Sequence, residues 1–315
     1  MSRVIEFSDG AERGDTSWWT SASAIVSASS NGVLHGVYCY NMGSSESAYK
    51  TLNTPLSEFY FRYYAKSTAG PAVYFRKGAT ALLAVTQNPT YARLDITGAA
   101  TGNTGNNSIV LGNWYCLEVH YKISDTVGEV TVRIDGVQVF TFSGDTKPGS
   151  DSTIDNILMQ NSGSGSPAFY ADDFALDTSD WCGLGYYVGL TADGAGDSTQ
   201  WTPTGGANYA NVEIPANDST YNSGTTGQTD NYAMTTTTIG TGTVLRVIPY
   251  ARANNPAGGT LNIGLKTNGT DYTTTVTTPT SFTWLSGAEY INNPQSGNSW
   301  TQGEIDSLQM TVSMP

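Results

Sequence analysis

Glu129-Val-Thr-Val-Arg-Ile-Asp-Gly-Val-Gln-Val-Phe-Thr-Phe142 holds the plainest fold signal in the chain. Two runs of alternating apolar and polar residues flank Asp135-Gly136. That pair tolerates the positive φ angles of a two-residue turn, so the segment predicts a β-hairpin. The same period of two recurs outward from it. In Glu58–Lys66, Phe59, Phe61, Tyr63 and Ala65 fall on one side; Glu58, Tyr60, Arg62, Tyr64 and Lys66 fall on the other. In Trp114–Ile123, Tyr115, Leu117, Val119, Tyr121 and Ile123 form the apolar set. Helical periodicity is nearly absent, which makes the chain all-β.

The composition narrows the class of partner. Of the 315 residues 38% are hydrophobic, enough for packed cores, while only 13% are charged. Thr, Ser, Asn and Gly must therefore supply most of the solubility, as suits strand faces and turns. The net charge of −13, with 14 scattered Lys and Arg, argues against nucleic acid and anionic membrane, which need clustered cations. The opening Met1-Ser-Arg-Val-Ile-Glu6 lacks the apolar run of a signal peptide, so synthesis in a cytoplasm without export is expected. Cys39, Cys116 and Cys182 are odd in number and lack metal-type spacing. They read as buried apolar fillers.

Length favours two domains. Phe169–Asp177 reads as a closing strand, and the texture changes after it. Residues 1–181 carry 18 acidic and 11 basic side chains, whereas 182–315 carry 9 and 3 in a Thr-rich background. The boundary is expected at about residue 181. Strands are expected in the second part at Thr243–Arg252, Leu261–Lys266 and Asp271–Val276. Thr301-Gln-Gly-Glu304 has the spacing of a capping box, so one short helix is expected there, with Ile305 and Leu308 facing the core.

Residues 1–181 resemble the concanavalin A-like and carbohydrate-binding jelly rolls. The resemblance is carried by Phe7-Ser-Asp-Gly-Ala-Glu-Arg-Gly14 with Trp18-Trp19, by Trp114–Tyr121, by Val132–Val137 and by Tyr170–Leu176. Residues 182–315 resemble a β-sandwich module of tailed-bacteriophage virion proteins. Here the matching stretches are Gln200–Asn208, Asp218–Tyr221, Asp230–Tyr232 and Asn293–Thr301 running into Glu304-Ile-Asp306. The resemblance implies a jelly roll followed by a smaller β-sandwich. It also implies a non-enzymatic structural protein at a virion surface, most simply a capsid decoration or head-fibre protein. Its partners would be the major capsid protein or tail proteins, and other copies of itself. A tail-associated or head-borne adhesin for host polysaccharide is the alternative.

Catalytic signals are sparse. Glucanases of the jelly-roll fold place carboxylates as Glu-x-Asp-x-Glu on one strand. Glu304-Ile-Asp306 is followed by Ser307 and Leu308, so the third member is missing. With His35 and His120 alone, a zinc site or a nucleophile–histidine pair has little material. His120 reads as a half-exposed strand residue, and Gly163-Ser-Gly-Ser166 as a loop. Glu12, Asp172 and Asp173 match positions where the resembled jelly rolls hold a structural calcium. The competing reading is a solvated loop charge and a turn cap. Tyr60, Arg62 and Tyr64 share one strand face, and Tyr74 with Arg76 alternates similarly. A glycan could stack there, but packing under loops or against a neighbouring subunit is the preferred reading.

Overall fold

The computed structural model describes residues 5–23, 25–28, 33–161, 169–214, 217–239 and 242–315. Gly163–Ser166 lies outside these residues. The chain divides into two compact units, Met1–Gly189 and Leu190–Pro315. The division falls a few residues beyond the expected boundary of 181. The cause is local: Cys182, Gly183 and Tyr187 all bond to the first unit.

Fifteen strands lie among the described residues of the first unit. They are β1 (Ile5–Asp9), β2 (Ser21–Ala22), β3 (Ile25–Ala28), β4 (Tyr38–Met42) and β5 (Ser47–Leu56). Next come β6 (Glu58–Lys66), β7 (Pro71–Lys77), β8 (Thr80–Asn88), β9 (Arg93–Gly98) and β10 (Gly102–Asn103). The last are β11 (Tyr115–Lys122), β12 (Gly128–Ile134), β13 (Val137–Gly144), β14 (Ile154–Asn161) and β15 (Phe169–Asp177). One sheet runs β13-β12-β11-β6-β15-β4-β3, with β1 also paired to β15; the other runs β10-β9-β8-β7-β14-β5-β2. All pairs are antiparallel. The first unit is thus a concanavalin A-like jelly-roll sandwich.

The alternation read from the sequence decides what fills the space between the sheets. Phe59 and Phe61 reach across to Phe75, with ring centroids 5.0 and 5.4 Å apart. Trp19 packs edge-on against Phe7, Tyr40 and Phe174. Each such ring contributes roughly 1.5–3 kcal/mol by burial. Asp135 (φ 51°) and Gly136 (φ 78°) make the expected turn between β12 and β13. Cys39, Cys116 and Cys182 are buried thiols.

The second unit begins with β16 (Ala192–Thr199), β17 (Thr202–Pro203), the 3-10 turn Tyr209–Asn211, β18 (Asn222–Ser223), β19 (Thr229–Met234) and β20 (Tyr250–Ala253). It ends with β21 (Gly259–Thr267), β22 (Thr270–Thr278), β23 (Thr283–Ser286), α1 (Gln302–Asp306) and β24 (Gln309–Ser313). A five-stranded sheet, β16-β19-β24-β21-β22, forms one layer. The β20–β23 ribbon lays Ala251, Ala253 and Leu285 against its Tyr232, Leu261, Ile263 and Val312. The strand expected over Thr243–Arg252 is shorter: Val247 makes an isolated bridge to Tyr290, and pairing starts only at Tyr250. Pro249 intervenes, and it has no N–H to give a ladder. The capping box at Thr301 and Glu304 is present in both directions, with Ile305 and Leu308 buried.

The stretches that carry the phage resemblance turn out to hold this unit together. Asp230 is fully buried and accepts from Gln200 N (2.6 Å), Trp201 N (2.8 Å), Asn208 Nδ2 (2.6 Å) and the Tyr232 hydroxyl (2.9 Å). Asp218 receives both arms of Arg252 at 2.6 and 2.8 Å. Asn293 is fully buried, and Trp300 donates to Tyr290 O. A buried carboxylate with that many donors fixes its loops, because any lost partner leaves a charge unsatisfied.

Candidate functional site

Two sheet faces of the first unit point away from its core, and both carry tyrosines. On β6, Tyr60, Arg62 and Tyr64 alternate with the core residues Phe59, Phe61 and Tyr63. On β7, Tyr74 and Arg76 alternate with the core residues Val73 and Phe75. Because β6 and β7 belong to opposite sheets, the five expected residues lie on opposite sides of the sandwich. They cannot share one ligand.

The β6 face is covered. After β15 the chain turns back across it as a strap, Trp181–Tyr187. Trp181 meets Tyr60 edge-on at 5.4 Å and holds the Arg133 guanidinium over its ring at 3.6 Å. Gly183 N donates to buried Glu118 (2.7 Å), and Gly183 O accepts from Arg62 Nη1 (3.2 Å). Arg62 Nε also donates to Asp173 O at 3.1 Å. Tyr186 stacks on His35 (4.3 Å), whose ring meets Tyr64 edge-on. Arg62 is only 4% exposed and Tyr64 9%. Trp181, Gly183 and Tyr186 thus lie over this face.

His120 corrects the sequence reading: it is buried, not half-exposed. It stacks on Tyr60 at 4.2 Å and lies between Glu58 (3.0 Å) and Glu129 (3.4 Å). The outward side of a strand became interior because Trp181 and these carboxylates enclose it.

Glu12, Asp172 and Asp173 converge where β1 meets β15. A register shift between Asp172 and Ala175 bulges β15, and Asp173 takes φ 51°. A bulge re-aims side chains in this way. Glu12 accepts from Val37 N and Tyr38 N, and burial raises its carboxyl to about 7. Asp173 accepts from Tyr187 N and bonds His35 Nδ1, both at 2.6 Å. Asp172 Oδ1 accepts from Asp173 N, while Oδ2 is buried and meets no hydrogen-bond donor at bonding geometry among the described residues. Burial, then the neighbouring Asp173 charge and Glu12, pushes Asp172 up to about 9.

Hard oxygens suit calcium, but this arrangement does not fit it. Glu12 and Asp173 are turned to protein donors. Among the described residues no three ligating side chains form a group that could hold an ion, and calcium needs 6–8 oxygens. Burial and the neighbouring carboxylates favour the protonated form of Asp172, and the β1–β15 pairing ties the two ends of the unit together.

The β7 face is different. Cross-strand register sets Tyr49, Leu158, Tyr74, Ala84 and Thr97 side by side over five strands. The two tyrosines are two strands apart, about 9–10 Å. A parallel row holds Gln160, Ala72, Thr86 and Asp95. Tyr49, Leu158, Tyr74, Gln160 and Asp95 are half-exposed, and buried Ala72 and Ala84 make a flat floor between them. Asp95 is paired with Arg93 (2.7 Å) and Asn88 (2.7 Å), and Lys77 with Asp155 (3.3 Å). Sequence reasoning singled out Tyr74 and Arg76 but missed Tyr49, Gln160 and Asp95. Alternation marks each strand's outward set, whereas only long-range register brings those sets together.

No family model matches the chain, and no curated protein matches it. Among solved structures it is similar to a carbohydrate esterase of the Shiga toxin-encoding bacteriophage phi24B. That match has 16% identity and a TM-score of 0.42 over 56% of this chain and 100% of that one. It is similar to domain 4 of a GH43 arabinanase from Geobacillus stearothermophilus solved with arabinotriose, at 11% identity and a TM-score of 0.40, over 56% and 94%. It is also similar to winged bean acidic lectin complexed with methyl-α-D-galactose, at 9% identity and a TM-score of 0.35, over 50% and 91%. The chain is an all-β protein whose first unit is a jelly-roll β-sandwich, on the strength of its strand order and register.

Proposed function

We propose that this chain is a non-enzymatic binding protein at the surface of a tailed-phage virion. Its first unit holds neutral polysaccharide on the β7 face, and its second unit attaches it to other virion proteins. The observation that carries the reading is the half-exposed Tyr49–Leu158–Tyr74 row, over which none of the described residues lies as a strap, while the equivalent face of the other sheet is strapped shut. Tyrosine rings offer flat apolar area with a polar tip, which suits the faces of sugar rings. The flanking Asn88, Arg93 and Asp95 are bonded to one another, so they suit hydroxyl recognition more than proton transfer. With a net charge of −13, an acidic polysaccharide is disfavoured.

The resemblance of residues 182–315 to virion modules supports the particle half of the reading. A capsid decoration protein that contacts only protein is the second reading, because Tyr and Arg also favour protein interfaces. The deciding experiment sets a glycan-array screen of the whole chain beside its copy number in purified virions. A glycan signal lost in Tyr49→Ala/Tyr74→Ala supports the first reading. High copy number with no glycan signal supports the second, and absence from virions removes both.

A further inference from the structure

The five-stranded sheet of the second unit has two edges, and they are built differently. At one edge, β16 pairs with β19 through two register shifts and carries Asp193, Asp197 and two glycines. Irregularity and charge of that kind blunt an edge against adventitious pairing. At the other edge, β22 is nine residues long and pairs with β21 at every position without a shift. It contains no proline, lysine or arginine, and its one charge is Asp271. None of the described strands pairs with its outer side.

The backbone of that outer side can be assigned. The two-residue turn Asn268-Gly269 (φ 48° and 81°) makes Thr267↔Thr270 the first hydrogen-bonded pair of the hairpin. Hydrogen-bonded pairs then alternate along an antiparallel ladder. Thr270, Tyr272, Thr274, Val276 and Thr278 therefore turn their N–H and C=O toward β21. Asp271, Thr273, Thr275 and Thr277 turn theirs outward, and all four side chains are exposed.

We propose that two copies of the chain pair antiparallel through this free edge, about a two-fold axis at Thr274, doubling the five-stranded sheet. The sequence is self-complementary in that register. Thr273 meets the partner's Thr275, Asp271 meets the partner's Thr277, and Thr274 meets its own copy. Threonine pairs across strands are favourable. The half-buried Tyr272 meets the partner's Val276 on the apolar side, an aromatic–β-branched pair. Asp271 never faces its own copy, as it would in a parallel arrangement. In its own chain it already accepts from Asn231 Nδ2 (3.1 Å) and Thr311 Oγ1 (2.8 Å), so no new charge is stranded. A two-fold contact of this type closes on itself, and the edges left at either end of the doubled sheet are the irregular, charged β16 strands. This pairing does not depend on the polysaccharide reading of the first unit.

The test is sedimentation of the full-length chain over a wide concentration range, with a charge swap at the axis. The wild type is expected at the mass of two chains. Thr274→Lys or Thr274→Glu alone sets like charges against each other and should weaken association by about tenfold or more. An equimolar mixture of the two variants should restore pairing. As a second measurement, Thr274→Cys should oxidise readily to a covalent dimer, because facing residues of a non-hydrogen-bonded pair lie about 4.5 Å apart; Thr270→Cys should not. A wild type that sediments as one chain throughout would overturn the proposal. So would association indifferent to both charges, or a Thr274→Cys variant that fails to cross-link.

Discussion

On one sheet of the first unit, Tyr60, Arg62 and Tyr64 project from the core and end beneath the strap Trp181–Tyr187. On the other, Tyr49, Tyr74 and Arg76 project in the same manner and, among the described residues, meet no comparable cover. The residue types are alike, but among the described residues only the first face is overlain by a later segment of the chain. A strand face becomes structural or available according to whether such a segment carries the donors and rings that match it. Glu118, Arg62 and Asp173 are matched by Gly183 and Tyr187, so their network is satisfied internally. Stability and binding should therefore separate by sheet.

The largest expected effect comes from removing the strap. A fragment of residues 1–181 loses the bonds that Gly183 and Tyr187 make to Glu118, Arg62 and Asp173, along with the Tyr186 ring. It should be less stable than residues 1–189 by about 4 kcal/mol or more, read from urea midpoints. Equal midpoints would mean that the β6 face does not need its cover. Arg62→Ala should cost about 3 kcal/mol, since a buried guanidinium with two carbonyl partners is lost. Arg76→Ala on the open face should stay within about 0.5 kcal/mol.

Acidity sharpens the same comparison, because the buried carboxyls lie on the strapped side. Glu12 is raised from 4.5 to about 7 in the folded chain, so folding favours its protonated form. Its contribution is complete below about pH 4.5 and is lost as pH climbs through 7, up to about 3 kcal/mol. Asp172, raised from 3.8 to about 9, acts in the same direction to higher pH. The urea midpoint of the first unit should fall between pH 5 and pH 8, and Glu12→Gln should flatten that fall. Neither chelator nor added calcium should move the midpoint at pH 7. A rise with calcium would show that Glu12, Asp172 and Asp173 hold an ion after all.

Much of this architecture is legible in the sequence because its causes are local. Period-two alternation marks Glu58–Lys66 as a strand with the observed limits, and Phe169–Asp177, read as a closing strand, is one. Asp135-Gly136 marks the turn, and Thr301 with Glu304 marks the helix start. Thr243–Arg252 misleads because its β-branched pattern conceals what Pro249 does to a ladder. Cys182-Gly-Leu-Gly-Tyr-Tyr187 has no period at all, and its place over β6 depends on partners more than a hundred residues away, as Arg62 and Gly183 illustrate. Hence alternation could set Tyr60 with Tyr64, and Tyr74 with Arg76, but not tell which face stays open. Nor could it place Tyr49 beside Leu158 and Tyr74.

The smallest expected change in stability accompanies the largest expected change in binding. Tyr49→Ala/Tyr74→Ala should shift the urea midpoint little, since both rings are half-exposed. Titration of a polysaccharide selected by array into three proteins tests the division between the faces most directly: the wild type, Tyr49→Ala/Tyr74→Ala, and Tyr60→Ala. The double variant should lose affinity by about tenfold or more, as stacking rings dominate a small interface. Tyr60→Ala should bind as the wild type does, per folded molecule. Loss of binding in Tyr60→Ala, with the double variant unaffected, would contradict the assignment of the open face.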